Sequence, residues 1–168
     1  MSPHIRNRHL LPADLPLVSK LHAKVFGPGR FVRTAYRIRE GTPRISPFCR
    51  AAFDGDRVIA AVRFTEITIG GKGGALLLGP LAVDPEYVNR GYGRALIGEG
   101  LAQAKEAGIK LVLLVGDEPY YGRFDFRPIP PGQLTLPGPV DPRRLLAVEL
   151  APGSMSDYRG MVAGKAVS

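Results

Sequence analysis

The chain has one cysteine, Cys49, and no tryptophan in 168 residues. A lone thiol cannot close an intramolecular disulfide, so nothing covalent staples the fold. No charged-then-apolar leader opens the chain, and no apolar run approaches membrane-spanning length. His4, His9 and His22 form no metal-ligand spacing with each other or with Cys49, so no metal is expected. Negative charge is also scarce at the front: residues 1–50 hold ten Lys/Arg against only Asp14 and Glu40. Residues 51–168 carry thirteen of each sign, so the net +8 resides in the first third. These absences predict a cytoplasmic, metal-free protein. With 45% apolar residues, the whole of 1–168 is expected to close one core as a single domain.

Much of the excess charge lies in Arg30–Arg39. At helical spacing Arg30, Arg33 and Arg37 share one face, and Phe31, Ala35 and Ile38 another. A solvated face and an anion-attracting rim beside a ligand cleft both fit this pattern.

The rest of the chain reads as alternating elements. Ile5–Arg8 suits a short strand. Leu15, Val18, Leu21, His22 and Val25 recur at helical spacing up to Gly27, and a second helix is expected over about Arg30–Glu40, stopped by Gly41 and Pro43. Phe48–Phe53 and Arg57–Ile69 are rich in β-formers and flank Asp54-Gly55-Asp56, a hairpin signal. After a loop at Gly70–Gly74, Ala75–Val83 is a third strand, with a bulge expected at Gly79-Pro80 because proline cannot donate to a central ladder. Gly91–Ala107 is helical, Gly108 caps it, and Lys110–Val115 is a strand, completing a βαβ unit. A helical turn at Pro119–Arg123, a strand around Phe124–Pro128, a proline-rich loop at Pro130–Pro142 and a last strand at Leu145–Leu150 follow. The tail after Ser154 is expected to be partly mobile.

The segment with chemical content is Leu78–Ile97. It runs from a strand end through a turn into a helix start punctuated by Gly91 and Gly93. Backbone N–H groups there converge at the positive end of a helix dipole, which makes an anion site. Asn89, Arg90 and Arg94 add polar and cationic side chains. A P-loop needs Lys-Ser/Thr after its last glycine, where Arg94-Ala95 stands. A dinucleotide fingerprint needs a third glycine at Leu96 and an acid near Lys110-Leu111-Val112.

Val83-Asp84-Pro85-Glu86-Tyr87 followed by Arg90-Gly91-Tyr92-Gly93-Arg94-Ala95-Leu96 resembles motif A of the GNAT acetyltransferases. Val88 departs from the pattern, standing where a Gln or Arg is usual. Tyr120-Tyr121-Gly122-Arg123-Phe124-Asp125-Phe126 resembles the family's motif B, with Asp125 in place of glycine. The strand Leu78–Val83 taken with this stretch is most similar to the bacterial YhbS-like branch.

The resemblance implies an α/β fold of GNAT type: a mixed, mostly antiparallel sheet, bulged and splayed at its centre, with helices on both faces. It places the coenzyme-binding core at about 75–127. Acetyl-CoA is the implied co-substrate, its pantetheine arm pairing with the backbone of Leu81, Ala82 and Val83 and its pyrophosphate wrapped by Val88, Asn89, Arg90, Gly91, Tyr92, Gly93 and Arg94. Tyr121 is implied to protonate the departing thiolate. Glu66, on the preceding strand, is the candidate base. The expected reaction is direct acetyl transfer to a primary amine of a small molecule or peptide. The alternative is a non-catalytic module of the same fold that senses acetyl-CoA or grips RNA through the basic front. Leu145–Leu150 offers an edge for pairing in a homodimer.

Overall fold

The computed structural model describes residues 4–27 and 34–165. Strand β1 (Ile5–His9) leads through a 3-10 turn at Pro12–Asp14 into helix α1 (Leu15–Phe26), which buries Val18 and Leu21 and ends at Gly27 with φ 69°. Helix α2 (Thr34–Arg39) is the second predicted helix; its expected start at Arg30–Arg33 lies outside the described residues. Strands β2 (Arg50–Asp54) and β3 (Arg57–Ile69) form the Asp-Gly hairpin, with Asp54 facing Arg57. β3 then turns at Gly70-Gly71 into β4 (Lys72–Val83), with Ile69 facing Lys72. The loop predicted over Gly70–Gly74 is therefore shorter, because Lys72–Gly74 already pair or extend although exposed.

Helix α3 (Tyr92–Glu106) crosses over to β5 (Leu111–Val115), which runs parallel to β4. Helix α4 (Glu118–Tyr121) and a 3-10 turn at Gly122–Phe124 precede β6 (Arg127–Pro128), so the strand expected around Phe124–Pro128 begins later than predicted. Then come β7 (Leu134–Thr135), β8 (Leu145–Glu149) and β9 (Gly160–Gly164).

The strand order is β1-β2-β3-β4-β5-β8-β6, with β9 sharing the β3 edge with β2 and β7 beside β9. Only β4·β5 and β7·β9 are parallel. Helix α3 covers one face, where Leu96, Ile97, Leu101 and Ala104 pack on Val62, Phe64, Leu76 and Leu78. On the other face, α1 packs through Val18 and Leu21 on Ala61 and Ala82, and α2 through Ile38 on Ile67 and Leu77. The mixed, mostly antiparallel sheet with helices on both faces is the expected one.

Two expectations about the C-terminal third are corrected. From Ser154 to Gly164 the chain is built into the fold, as a 3-10 turn at Ser154–Asp157 and then β9, paired with Ile67–Ile69; the last three residues of the expected tail lie outside the described residues. Gly160-Met161-Val162-Ala163-Gly164 has little strand propensity of its own; the open half of the β3 edge makes it a strand. Tyr158, with no exposed surface, anchors the approach by donating to the Gly73 carbonyl at 2.7 Å. In addition, β8 pairs with β5 along its length on one edge and with β6 at Leu146 and Ala147 on the other. Most of the edge proposed for a homodimer is already covered.

Candidate active site

Strand β4 carries the bulge at the predicted place. Val62 faces Leu81 and Phe64 faces Leu78, so Arg63 alone opposes Gly79-Pro80. Pairing of β4 with β5 is confined to Ala75–Leu77 and Leu111–Leu113, beyond which the two strands part. The Asp84 N–H bonds to the Ile59 carbonyl at 2.8 Å, which fixes the phase of the β3·β4 ladder. Alternation then ties Ala82 to β3 and turns the backbone groups of Leu81 and Val83 toward the gap. The Ala82 side chain packs under α1. Of the three residues expected to line the coenzyme arm, Leu81 and Val83 thus present free backbone and Ala82 does not.

The turn between β4 and α3 is held by Asp84. Its carboxylate is buried and receives the Glu86 N–H at 3.0 Å, Lys24 of α1 at 3.0 Å and Arg57 of β3 at 2.9 Å. Burial acts to raise the Asp84 pKa, but these donors outweigh it and hold the carboxyl below its usual value. Tyr87 donates to Asp54 at 2.7 Å, and Arg90 lies over its ring.

Helix α3 then starts without a side-chain cap, from Gly91 in the left-handed region at φ 87°. In its first turn the N–H groups of Gly93 and Arg94 have no intrahelical acceptor and point outward, where an anion would sit. Asn89, at φ 62°, and Arg90 and Arg94 are exposed around this turn. Val88 is 47% exposed and supplies no side-chain donor. The Tyr92 side chain is in the core, so this residue can offer only its backbone. Gly93 is where α3 meets the gap: a Cβ there would lie 3.3 Å from Val83 Cγ2, 3.4 Å from the Tyr120 hydroxyl and 3.5 Å from Leu81 Cδ2.

A cleft of about 930 Å³ opens from the gap toward α1 and α2. Gly79, Leu81, Tyr120 and Tyr121 line it together with residues of α1, α2 and Pro139–Asp141. The Tyr121 ring sits against Gly116 and edge-on to Phe126, with centroids 6.0 Å apart. Burial pushes its phenol up to about 12, with smaller contributions from Tyr120 and Asp117, so it is protonated at neutral pH. Asp125 takes the left-handed conformation, φ 69°, that its place before Phe126 requires. Glu66 is not brought to the cleft. It faces Leu76 across β3·β4, and directly opposite residues share a face, here the α3 face. Cys49 has no exposed surface and accepts the Phe64 N–H at 3.3 Å, as a core residue. Among the described residues no three His, Cys, Asp or Glu side chains cluster as metal ligands, and no helix is long and apolar enough to cross a membrane.

The model of the acetyltransferase (GNAT) family matches residues 17–126, which spans α1, the bulge, the uncapped α3 and the tyrosine pair. The chain belongs to the GNAT family. Among curated GNAT relatives, it is 30% identical to the uncharacterized N-acetyltransferase YhbS of Escherichia coli K12 over 117 residues, covering 69% of this chain and 70% of YhbS. It is 34% identical to the uncharacterized N-acetyltransferase YjhQ of the same organism over 122 residues, 69% of this chain and 66% of YjhQ. The crystal structure of Escherichia coli YhbS in complex with CoA superposes with a TM-score of 0.81 at 26% identity, covering 98% of this chain and 93% of that one. A GNAT acetyltransferase of Brucella melitensis in complex with acetyl-CoA gives a TM-score of 0.69 at 25% identity, over 90% and 91% of the two chains. The YhbS-like branch read from the two motifs is the branch these relatives define.

Proposed function

We propose that this GNAT chain is a cytoplasmic N-acetyltransferase that moves the acetyl group of acetyl-CoA directly onto a primary amine. The observation that carries the reading is the uncapped α3 start opening onto the gap between β4 and β5. One surface thus joins an anion site to a free strand edge. The pyrophosphate sits on the N–H groups of the turn from Val88 to Arg94, with Asn89, Arg90 and Arg94 beside it. The pantetheine arm then extends along Leu81 and Val83 as an added strand would. The CoA complex of YhbS and the acetyl-CoA complex of the Brucella acetyltransferase support the same ligand.

The Leu81 N–H faces the thioester carbonyl and stabilises the oxyanion as the amine attacks. Tyr121 gives its proton to the departing sulfur. A phenol with a pKa raised by burial is a reluctant donor in isolation. A thiolate forming beside it in the same poorly solvated pocket is correspondingly avid, so the transfer is driven by placement. An alkylammonium with a pKa of about 10.4 must first lose a proton, at roughly 4–5 kcal/mol at neutral pH. With Glu66 on the opposite face, solvent water in the cleft takes that proton.

The reading is tested by titrating acetyl-CoA calorimetrically and following free thiol in a screen of amino acids, polyamines, aminoglycosides and basic peptides. Micromolar binding with amine-dependent thiol release is the expected result. No heat of binding at millimolar acetyl-CoA refutes it, and binding without release for any amine leaves a sensor in place of an enzyme.

A further inference from the structure

Five arginines and two aspartates line the cleft. Both aspartates are already paired, Asp117 with Arg144 at 3.2 Å and Asp141 with Arg143 at 3.2 Å. Among the described residues no carboxylate comes within salt-bridge distance of Arg37, Arg44 or Arg63. The stretch 28–33 contributes Arg30 and Arg33 to the sequence and no acidic residue.

Arg63 stands at the catalytic bulge. Strand alternation puts it opposite in direction to Phe64, which is buried under α3, and so into the cleft. Its Nη2 donates to Thr42 Oγ1 at 3.2 Å and to the Pro43 carbonyl at 3.0 Å, and its Nε is buried with no acceptor. Burial foremost, with Arg44 adding to it, pulls the Arg63 pKa down, as expected of a cation taken out of water without a counter-ion. Arg39 reaches the same point from α2, its Nη2 lying 3.1 Å from where a Cβ on Gly79 would be. Both arginines thus flank the bulge, Arg63 from its place opposite Gly79-Pro80 on β3 and Arg39 from α2 against Gly79.

We propose that the acceptor is an amine carrying a carboxylate a few bonds from its nucleophilic nitrogen, and that the carboxylate is seated on Arg63 with Arg39 and Arg44 beside it. This rests on the transferase reading above. With Nη2 already donating to Thr42 and Pro43, a carboxylate takes the remaining guanidinium donors and supplies the missing negative charge. The same field repels di- and polyamines. In the reaction the ammonium loses one proton to water and its lone pair forms the C–N bond. The C–S bond breaks with its electron pair on sulfur, sulfur takes the Tyr121 proton, and the phenolate recovers one from the nitrogen. The products are the N-acetyl amino acid, CoA thiol and one released proton.

The test compares thiol release from common amino acids, β-alanine and γ-aminobutyrate with release from their methyl esters. The esters are the weaker bases and contain more free amine, so a site indifferent to the carboxylate acetylates them faster. The expected result is a kcat/KM about 10- to 100-fold higher for the free acid. Arg63→Met should abolish that preference through KM, and Arg63→Lys should restore part of it. Acetyl-CoA affinity and the melting temperature of both variants should stay near wild type. Equal or faster reaction of esters or diamines, or an acid preference that survives Arg63→Met, overturns the proposal. Intact acetyl-CoA binding with no release from any amino acid overturns the acceptor class alone, whereas absent binding overturns the transferase reading beneath it.

Discussion

The two ends of the cleft are built from different materials. The coenzyme end is mostly backbone: the parted strands β4 and β5, the freed groups of Leu81 and Val83, and the uncapped first turn of α3. Its side chains mainly hold the backbone still, as Asp84 does by joining the turn to α1 and β3. The part we assign to the acceptor is mostly side chain, with Arg37 and Arg39 from α2, Arg44 from the following loop, Arg63 from β3 opposite the bulge and Arg144 from the approach to β8. A backbone site tolerates varied residues and keeps its ligand. A side-chain site changes ligand with a few substitutions, and so a fold can retain one donor while acceptors diverge.

Three substitutions and one pH profile would break or sharpen this contrast. The largest effect is expected from Tyr121→Phe, which removes the proposed acid without disturbing the backbone cradle. Turnover should fall about 10²-fold or more while acetyl-CoA affinity is nearly unchanged. With the Tyr121 pKa up at about 12, the wild-type rate should also not decline between pH 9 and about 10.5, where an ordinary phenol would already be losing its proton. A loss of affinity equal to the loss of turnover would mean that the two ends are not separable.

Next in size is Gly93→Val, which crowds Val83, Leu81 and Tyr120 and pushes α3 off the gap. Calorimetry should show acetyl-CoA binding weakened by about 100-fold, the loss of roughly two charge-assisted backbone bonds. Unchanged affinity would move the pyrophosphate away from this helix. The smallest effect belongs to Val88→Arg, which restores a donor at an exposed position. Acetyl-CoA should bind about 2- to 5-fold tighter, the modest gain of a solvent-screened contact, with acceptor KM unaltered.

Legibility in the sequence follows the same division. The turn, the α3 start and the bulge were readable because each is a local conformation requiring particular residues in a row: proline after glycine in a strand, glycines at a helix start, Tyr121 five residues before Phe126. The missed strand β9 has no such signature, since its pairing partner lies about ninety residues earlier. Glu66 was a reasonable base on chain order alone. The face it occupies depends on the register between β3 and β4, which the bulge resets.

By itself, then, the sequence determined the family, the βαβ unit, the glycine-punctuated turn into α3 and the tyrosine pair of α4, all of them encoded within contiguous stretches of chain. Only the tertiary structure decided which of Leu81, Ala82 and Val83 has free backbone, that Glu66 points away from the cleft, and that arginines scattered from Arg37 to Arg144 line one cleft. The physical reason is that ladder phase and cleft composition are set by long-range pairing, and a one-residue change in register moves every side chain to the other face.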